Sequence, residues 1–254
     1  MDHIVNSYKS GKSMSEISKL YKISRQSISK ILKINNIQII NKRRRIYNPN
    51  HSFFSNINSE SKAYMLGFIF ADGSIYQNRI RIELSSKDKH ILEIFSNEIY
   101  KLNLVKDFNK NNKSYCLLDI HSEQIKEDLK KYSCISNKSK ILTFPNINQN
   151  LHNHFIRGLI DGDGFVSIKS KTIGLLSTNN INTKIKEIFE SLNIKSFIAK
   201  AYKQDKNILN EIRVKKQSSL LILIDFLYNN SNIYLQRKYD SAMEIKQAYT
   251  SYNQ

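Results

Sequence analysis

The sequence predicts an α+β protein that is built from two similar repeats and preceded by a small all-α module. Three observations support this prediction. Two glycine-containing helical segments, 65–73 and 156–164, each end in an Asp-Gly pair. The order helix, hairpin, helix, hairpin, helix begins at each of these segments. The first forty residues, in contrast, show only helical spacing of their apolar residues.

A helix-turn-helix is predicted in residues 1–40. Apolar spacing favours helices over 13–20 and 25–33 with a turn at 21–23, and Ser24 is the expected cap of the second helix. The expected apolar contact is made by Ile17, Leu20, Ile28, Ile31 and Leu32. The side chains that would face DNA are Arg25, Gln26, Ser29 and Lys30. Helical hairpins that bind nothing have similar spacing, and the neighbouring basic residues favour recognition.

Residues 41–60 are predicted to be a basic linker. The chain has two prolines, and Pro49 follows the run Lys42, Arg43, Arg44 and Arg45. The run could be a solvated linker, but beside two DNA-facing modules we interpret it as a phosphate contact. Pro145 marks a second boundary, so the two repeats are expected over 61–144 and 145–254.

The two motif helices are predicted to pack closely against each other. Each carries two small residues four positions apart, which lie on one face and leave room for a partner backbone. These interface residues are Gly67 and Ala71 in the first helix and Gly158 and Gly162 in the second. Gly73 and Gly164 suit the left-handed conformation that often ends a helix.

This arrangement places Asp72 and Asp163 in the last turn of each helix. That end carries partial negative charge, so two carboxylates side by side there predict a divalent cation between them. An ordinary helix cap would explain one Asp-Gly end, but not two in matched repeats. The aspartates are 91 positions apart (163 minus 72), which leaves room for one repeat between them.

The remaining elements are predicted from periodicity and turn residues. In the first repeat we expect a hairpin over 74–86, a helix over 88–102, strands over 104–108 and 114–121, and a helix over 122–132. In the second we expect a hairpin over 165–177, a helix over 180–192, strands over 196–202 and 209–215, and a helix over 218–228. The result is a duplicated architecture with a pseudo-twofold axis between the motif helices.

The strands are predicted to present polar side chains on one face. Apolar and polar residues alternate strictly over 79–85 and again over 211–215. Basic side chains on such a face reach guanine edges in the major groove, and glutamate accepts from cytosine. The expected contacts are Arg79, Arg81, Glu83, Ser167, Lys169, Arg213 and Lys215. A solvated sheet face is the alternative, and the aspartates at its rim favour DNA.

Composition supports a polyanionic partner. Forty Lys and Arg against 22 Asp and Glu give a net charge of +18, which is far more than solubility requires. Cys116 and Cys134 exclude a disulfide framework and a four-cysteine zinc site, and we expect both to be reduced core residues. The longest apolar run is too short to cross a bilayer, and no secretory segment is evident, so we expect an intracellular protein.

The two motif segments resemble those of LAGLIDADG homing endonucleases in their single-chain form with two copies. The second copy keeps the ending Asp-Gly-Asp-Gly at 161–164, but Arg157 replaces a residue that is usually small. The first copy keeps Ala-Asp-Gly at 71–73, with Phe70 at the earlier acidic position and Leu66 at the second position. The earlier acidic position is not the family's metal ligand, so Phe70 leaves the expected chemistry intact.

The resemblance implies two αββαββα repeats that form a DNA-binding saddle. It further implies a monomeric endonuclease that acts in intron homing and makes a double-strand break in a long DNA target by hydrolysis. Asp72 and Asp163 would be the ligands of Mg²⁺, or of Mn²⁺, and each would serve one strand. A basic residue at the end of the last strand of each half would assist: Lys215 or Lys216 in the second half, and His121 in the first, with Lys113 earlier in the hairpin.

Two other functions remain open at this point. RNA-splicing maturases and transcription regulators share the implied fold, so intron RNA binding or DNA binding without cleavage is the alternative. Degenerate members are expected to lose the acidic ligands, whereas both are present here. The run His152-Asn153-His154 spells the letters of another nuclease class, but there the three residues are not consecutive, so we assign it no catalytic role.

Overall fold

The structure is a computed structural model that describes residues 2–10, 12–37, 39, 48–134, 142–204 and 207–251. The chain divides into two compact units, Met1–Asn48 and Pro49–Gln254. Each unit has its own hydrophobic core. No helix in the described ranges combines the length and the apolar character that a membrane crossing requires.

The described residues of the N-terminal unit form three helices: α1 (Asp2–Lys9), α2 (Met14–Tyr21) and α3 (Arg25–Ile34). Two of them were predicted, and α1 was not, because eight polar-rich residues give too short a pattern. The Ser13 hydroxyl accepts from the Glu16 N–H, and the Glu16 carboxylate accepts from the Ser13 N–H. Ser24 caps α3 as expected, since its hydroxyl accepts the Ser27 N–H at 3.0 Å.

The core of this unit corrects one expectation. Ile17, Ile28 and Leu32 are fully buried, but Leu20 is 56% exposed. The prediction considered two helices only, whereas α1 packs on the other two helices and supplies Val5 to the core. Leu20, in the last turn of α2, is therefore left outside the core.

The larger unit contains two repeats with the same order of elements. The first repeat comprises α4 (Glu60–Asp72), β1 (Gly73–Tyr76), β2 (Arg79–Ser85), α5 (Lys89–Tyr100), β3 (Lys106–Lys110), β4 (Lys113–His121) and α6 (Glu123–Lys131). The second comprises α7 (His152–Asp163), β5 (Gly164–Ser167), β6 (Thr172–Thr178), α8 (Asn179–Ser191), β7 (Phe197–Gln204), β8 (Asn207–Val214) and α9 (Gln217–Tyr228). The predicted α+β duplication is therefore confirmed. A further helix, α10 (Gln236–Thr250), was not predicted.

Each repeat forms one four-stranded antiparallel sheet. The strand orders are β1-β2-β4-β3 and β5-β6-β8-β7, so the hairpins pair in the same way in both halves. In β2, Ile80, Ile82 and Leu84 are buried while the residues between them are half-buried or exposed, as the alternation predicted. The Cys116 and Cys134 side chains are buried, as expected.

The motif helices α4 and α7 pack against each other at the centre of this unit. A methyl group added at Gly67 would overlap the carbonyl oxygen of Phe155, and one added at Gly158 would overlap that of Tyr64. The two contacts are equivalent, because residues 64 and 155 hold the same position in their repeats. The backbones therefore approach closely around a pseudo-twofold axis, and only glycine fits at the crossing.

The glycines that follow the helices differ from expectation. Gly73 has φ −72° and Gly164 has φ −92°, so both are extended and neither is left-handed. Each helix runs directly into a strand, which requires extended backbone at this position. Glycine is needed for close approach, since an added Cβ would lie 2.6 Å from the Ile69 carbonyl oxygen at Gly73 and 2.7 Å from that of Gly174 at Gly164.

Candidate metal centre and nucleic-acid interface

Asp72 and Asp163 are the last residues of α4 and α7, and both are exposed. A carboxylate oxygen of Asp72, Oδ2, lies 3.2 Å from the position that a Cβ on Gly162 would occupy. Asp163 is the next residue in the chain, about 3.8 Å further along the backbone. The Asp72 carboxylate therefore lies beside the end of α7, and the two aspartates occupy the same end of the helix pair.

The donor set fits a divalent cation with oxygen ligands. Among the residues that the structure describes, no group of three or more His, Cys, Asp or Glu could hold a metal ion. Two exposed carboxylates suit Mg²⁺, which is typically held by one or two carboxylates and completed by substrate phosphates and water. Asp72 and Asp163 could hold such an ion in this way.

A buried lysine that the sequence reasoning missed lies beneath these carboxylates. Lys238, on α10, is 5% exposed, and its ammonium donates to the carbonyl oxygens of Ile160, Asp161 and Gly164 at 2.6, 2.7 and 2.7 Å. Burial lowers the pKa of Lys238 to about 8, against the attraction of carboxylates that include Asp72. The sequence predicts a divalent cation at this end of the helices. The ammonium group of Lys238 already supplies one positive charge there.

A signal for Lys238 was present in the sequence. Lys238, Ala242 and Ile245 follow one another at helical spacing and are the buried residues of α10. A lysine within the apolar stripe of an amphipathic helix is expensive to bury unless its ammonium finds partners. Such a position therefore marks a specific polar contact inside the protein.

A buried polar network crosses from α7 to α4 and to the loop before α10. The guanidinium of Arg157, which is fully buried, donates to the carbonyl oxygens of Leu227 and Ile233 at 2.6 and 2.9 Å and to Glu60 Oε1 at 2.7 Å. Glu60 also accepts from the Asn232 backbone N–H at 2.7 Å. Arg157, noted above as a departure from the motif, therefore ties α7 to α4 and to the 229–235 loop.

Asp161 is also part of the protein interior. Its Oδ2 accepts from the Tyr64 hydroxyl at 2.7 Å and from the Leu235 N–H at 2.8 Å, and the residue is 1% exposed. Burial raises the pKa of the Asp161 carboxyl to about 6. Of the two acidic residues in this motif copy, Asp163 is at the surface and Asp161 holds the helix pair together.

The outer face of the first sheet presents arginines that are held by an aspartate. Arg81 donates from Nε and Nη2 to the two carboxylate oxygens of Asp119 at 2.8 and 2.9 Å, and Arg79 Nε lies 3.9 Å from the same group. The hydrogen bond from Arg81 lowers the pKa of Asp119. Glu83 is exposed on the same face. The sequence reasoning chose the arginines but missed Asp119, their cross-strand partner.

The outer face of the second sheet is less open. Arg213 Nη2 donates to Glu211 at 2.5 Å, and Glu211 is 6% exposed although the alternation places it outward. Gly174 leaves room for the ring of Phe165, which would collide with a larger side chain there. Ser167 accepts from Ser170 within the hairpin, and Lys169 is exposed in the turn.

Residues 59–142 and 150–224 match the LAGLIDADG-like domain, once in each repeat. These matches cover more than half of the chain. The chain belongs to this family. Each of the two matches contains one motif helix and its terminal aspartate, so the duplication seen in the fold is a duplication of the LAGLIDADG-like domain.

Solved structures of homing endonucleases resemble the chain in fold. The LAGLIDADG homing endonuclease I-LtrWI bound to target DNA is 14% identical with a TM-score of 0.51, and the match covers 80% of this chain and 92% of that one. I-SmaMI bound to uncleaved DNA in the presence of calcium ions is 16% identical with a TM-score of 0.51, covering 78% and 92%. At these identities the likeness concerns the fold alone.

Two further matches cover their counterparts less completely. Full-length DUF199/WhiA from Thermatoga maritima is 15% identical with a TM-score of 0.44, and the match covers 78% of this chain and 65% of that one. A curated relative, the isomerizing glutamine–fructose-6-phosphate aminotransferase of Methanocaldococcus jannaschii, is 25% identical over 122 residues. That match covers 45% of this chain and 11% of the aminotransferase, so this chain spans a small part of its length.

The basic residues expected near the LAGLIDADG aspartates lie further along the sheets. Gly164 pairs with Leu175 across the sheet, and Leu175 pairs with Ile212 on its other side. Lys215 lies three residues after Ile212. His121 has the equivalent position relative to Leu118 and Gly73 in the first repeat. Strand spacing puts each about 14 Å, between Cα atoms, from the glycine after the aspartate. Both are exposed, as is Lys216 before α9.

The other predicted contacts lie outside the LAGLIDADG-like domains. In the N-terminal unit Arg25, Gln26 and Lys30 are exposed on α3, and Ser29 is half-buried. The basic run 42–45 lies outside the described residues. The roles of these side chains stay predictions.

Proposed function

We propose that the chain is a site-specific homing endonuclease that makes a double-strand break in DNA. One observation carries the proposal: two exposed aspartates, Asp72 and Asp163, end two duplicated helices at the same end of the helix pair. Both residues are exposed, whereas the glycines at the crossing and Asp161 lie within the helix contact. A pair of acidic groups kept at the surface in both halves is typical of a metal-dependent active site.

DNA is the proposed substrate because positive charge and extended sheet faces occur together. The net charge of +18 favours a polyanion, and the outer faces carry Arg79 and Arg81 in the first sheet and Arg213 in the second. Arg and Lys on these faces would read bases, and the exposed side chains of α3 would add contacts from the N-terminal unit. The duplicated domain supplies both halves of the site within one chain, so a monomer suffices.

In the proposed hydrolysis, the acidic residues bind metal and the basic residues contact phosphates. Asp72 and Asp163 would hold Mg²⁺ or Mn²⁺, which when bound lowers the pKa of water and stabilises charge on the leaving oxygen. Lys215 and Lys216 in one half and His121 in the other would contact phosphates and stabilise negative charge. Because one half offers lysines and the other a histidine at this position, we expect the two strands to be cut at unequal rates.

A second candidate is DNA or intron RNA binding without cleavage. The buried ammonium of Lys238 favours this candidate, because it supplies positive charge beneath the two aspartates without a metal. All three of its donors are used by backbone carbonyls, however, so it cannot also donate to the exposed carboxylates. Aminotransferase activity is not proposed, because the match covers 11% of that enzyme.

Cleavage of a selected target tests the proposal. The full chain is first used to select binding sites from a random duplex library, and the bound duplexes are then incubated with Mg²⁺, Ca²⁺ or EDTA. We expect double-strand cuts with Mg²⁺ only, and loss of cutting with retained binding in Asp72→Asn and Asp163→Asn. Asp225→Asn, an exposed carboxylate paired with Lys246 on α10, is the matched control and should cut normally. Binding without any cut in Mg²⁺ or Mn²⁺ would establish the second candidate instead.

A further inference from the structure

Lys238 connects the C-terminal helix to the turn that carries Asp163. Its three acceptors are the carbonyl oxygens of Ile160 and Asp161, in the last turn of α7, and of Gly164, the first residue of β5. These acceptors lie on both sides of Asp163 in the chain. The backbone on both sides of Asp163 is therefore hydrogen-bonded to one ammonium group, that of Lys238.

The contact also has an electrostatic consequence. The carbonyl end of a helix carries partial negative charge, and an additional carboxylate in the last turn is unfavourable there. A buried ammonium at this end offsets that charge. A lysine has three donors, and all three are satisfied here, which is the condition under which a buried ammonium is tolerated.

Among the described residues, such a helix follows the second repeat and not the first. Lys238 belongs to α10, which comes after α9, whereas in the described part of the chain no α-helix separates α6 from α7. The neighbouring Arg237 pairs with Asp88 of the first repeat at 3.2 Å. α10 therefore contacts both repeats, but its lysine binds the end of the second motif helix.

We infer that Lys238 is a positioning residue for Asp163, because its ammonium fixes the turn from α7 into β5 and offsets the negative charge of that helix end. Lys238 itself contacts neither DNA nor the reacting atoms. Its removal should loosen the second half of the metal site and leave the first half in place. The effect on cleavage rests on the proposed function, whereas the effect on the turn does not.

Amide hydrogen exchange tests the inference without any activity. Lys238→Met keeps the volume and apolar stem but removes the donors, and Lys246→Met, which removes an exposed ammonium on the same helix, is the matched control. In Lys238→Met we expect exchange over 161–167 to accelerate by about tenfold or more, with no change over 70–76. Lys238→Arg, which keeps a charged donor, should recover part of the protection. Equal acceleration at both helix ends, or none, would overturn the inference.

Strand-resolved cleavage gives a second readout. Using a duplex labelled on each strand in turn, we expect Lys238→Met to slow one cut at least about tenfold more than the other, and the slowed strand should be the one that Asp163→Asn affects more. A loss of general stability would slow both cuts equally, and that result would contradict a positioning role. If the wild-type chain cuts neither strand, the proposed function fails, and the exchange measurement still decides the role of Lys238.

Discussion

The two motif helices share their backbone contacts but differ in nearly everything around them. In α4 every residue from Ala63 to Phe70 is buried, and all but one of them, Gly67, has an apolar or aromatic side chain. In α7 the equivalent stretch contains a buried arginine and a buried aspartate. Three kinds of position are alike in the two helices: the glycines at the crossing, the small residues Ala71 and Gly162, and the terminal aspartates.

The differences have a clear location. Leu66, Phe70 and Ala63 of the first helix correspond to Arg157, Asp161 and His154 of the second. Arg157 and Asp161 hydrogen-bond to the segment 227–235, which follows the second repeat, and His154 lies beside Arg157. Duplication therefore preserved what the helix pair and the carboxylates need, and the second helix changed where the C-terminal segment packs on it.

Replacing Arg157 with the residue of the first helix should have the largest effect on stability. Arg157→Leu leaves Glu60 without its ion-pair partner and two carbonyl oxygens without donors, so we expect a loss on the order of 3–5 kcal/mol in the free energy of unfolding. Calorimetry of the full chain measures it. The double variant Arg157→Leu with Glu60→Gln should be less damaged than the single one, and equal damage would show that the ion pair is not the cause.

Exchanging the small residues between the helices tests their equivalence. In Gly162→Ala the new methyl group overlaps the Cβ of Ala71, and we expect a loss of about 1–3 kcal/mol. Adding Ala71→Gly removes the overlapping methyl group and should restore most of this stability. Ala71→Gly alone corrects for the cost of glycine within a helix. If the double variant is no better than Gly162→Ala, the helices do not meet as described.

His154 should make stability depend on pH through the second helix. Burial lowers the pKa of His154, as does the charge of Arg157, so the folded protein binds this proton less readily than the unfolded chain does. Stability should therefore fall as the pH drops below about 6.5, the pKa of an unperturbed histidine. His154→Ala copies the first helix, and thermal unfolding between pH 7 and pH 5 should show a weaker dependence. An unchanged slope would remove His154 as the source.

The Arg81–Asp119 pair should affect recognition more than stability. The pair is partly exposed, so Asp119→Asn should change the free energy of unfolding by less than about 1 kcal/mol. Arg81 would lose its fixed orientation, and the base preference at one position of the selected target should broaden while total affinity is retained. Arg213 with Glu211 is the counterpart in the other sheet. If Asp119→Asn leaves preference unchanged, the pair does not orient a base contact.

The order of the elements could be predicted because it depends on local patterns. The alternation of apolar and polar residues over 79–85 indicates which face of the strand is buried. The small residues four positions apart in each motif indicate which face of the helix meets its partner. The conformation of Gly73 and Gly164 was predicted wrongly, because the reason for glycine there is a neighbouring carbonyl group and not a backbone angle. Leu20 was misplaced for a similar reason, since α1 was not considered.

The parts that escaped prediction depend on contacts between distant segments. Glu60 and Arg157 are 97 positions apart, and Lys238 reaches a helix end 74 to 78 positions earlier. No periodicity links such residues. A buried charge within an apolar stripe, as at Lys238, indicates that a partner exists without saying which one. The positions of Asp72 and Asp163 could be predicted because a repeated motif defines both.

The central claim is that Asp72 and Asp163 together hold divalent ions against DNA. Anomalous diffraction from crystals of the full chain bound to its selected duplex with Mn²⁺ measures this most directly. We expect an anomalous peak within coordination distance of carboxylate oxygens of both aspartates and of a DNA phosphate. A well-ordered complex whose peaks lie elsewhere, or whose two carboxylates share no ion, would contradict the account.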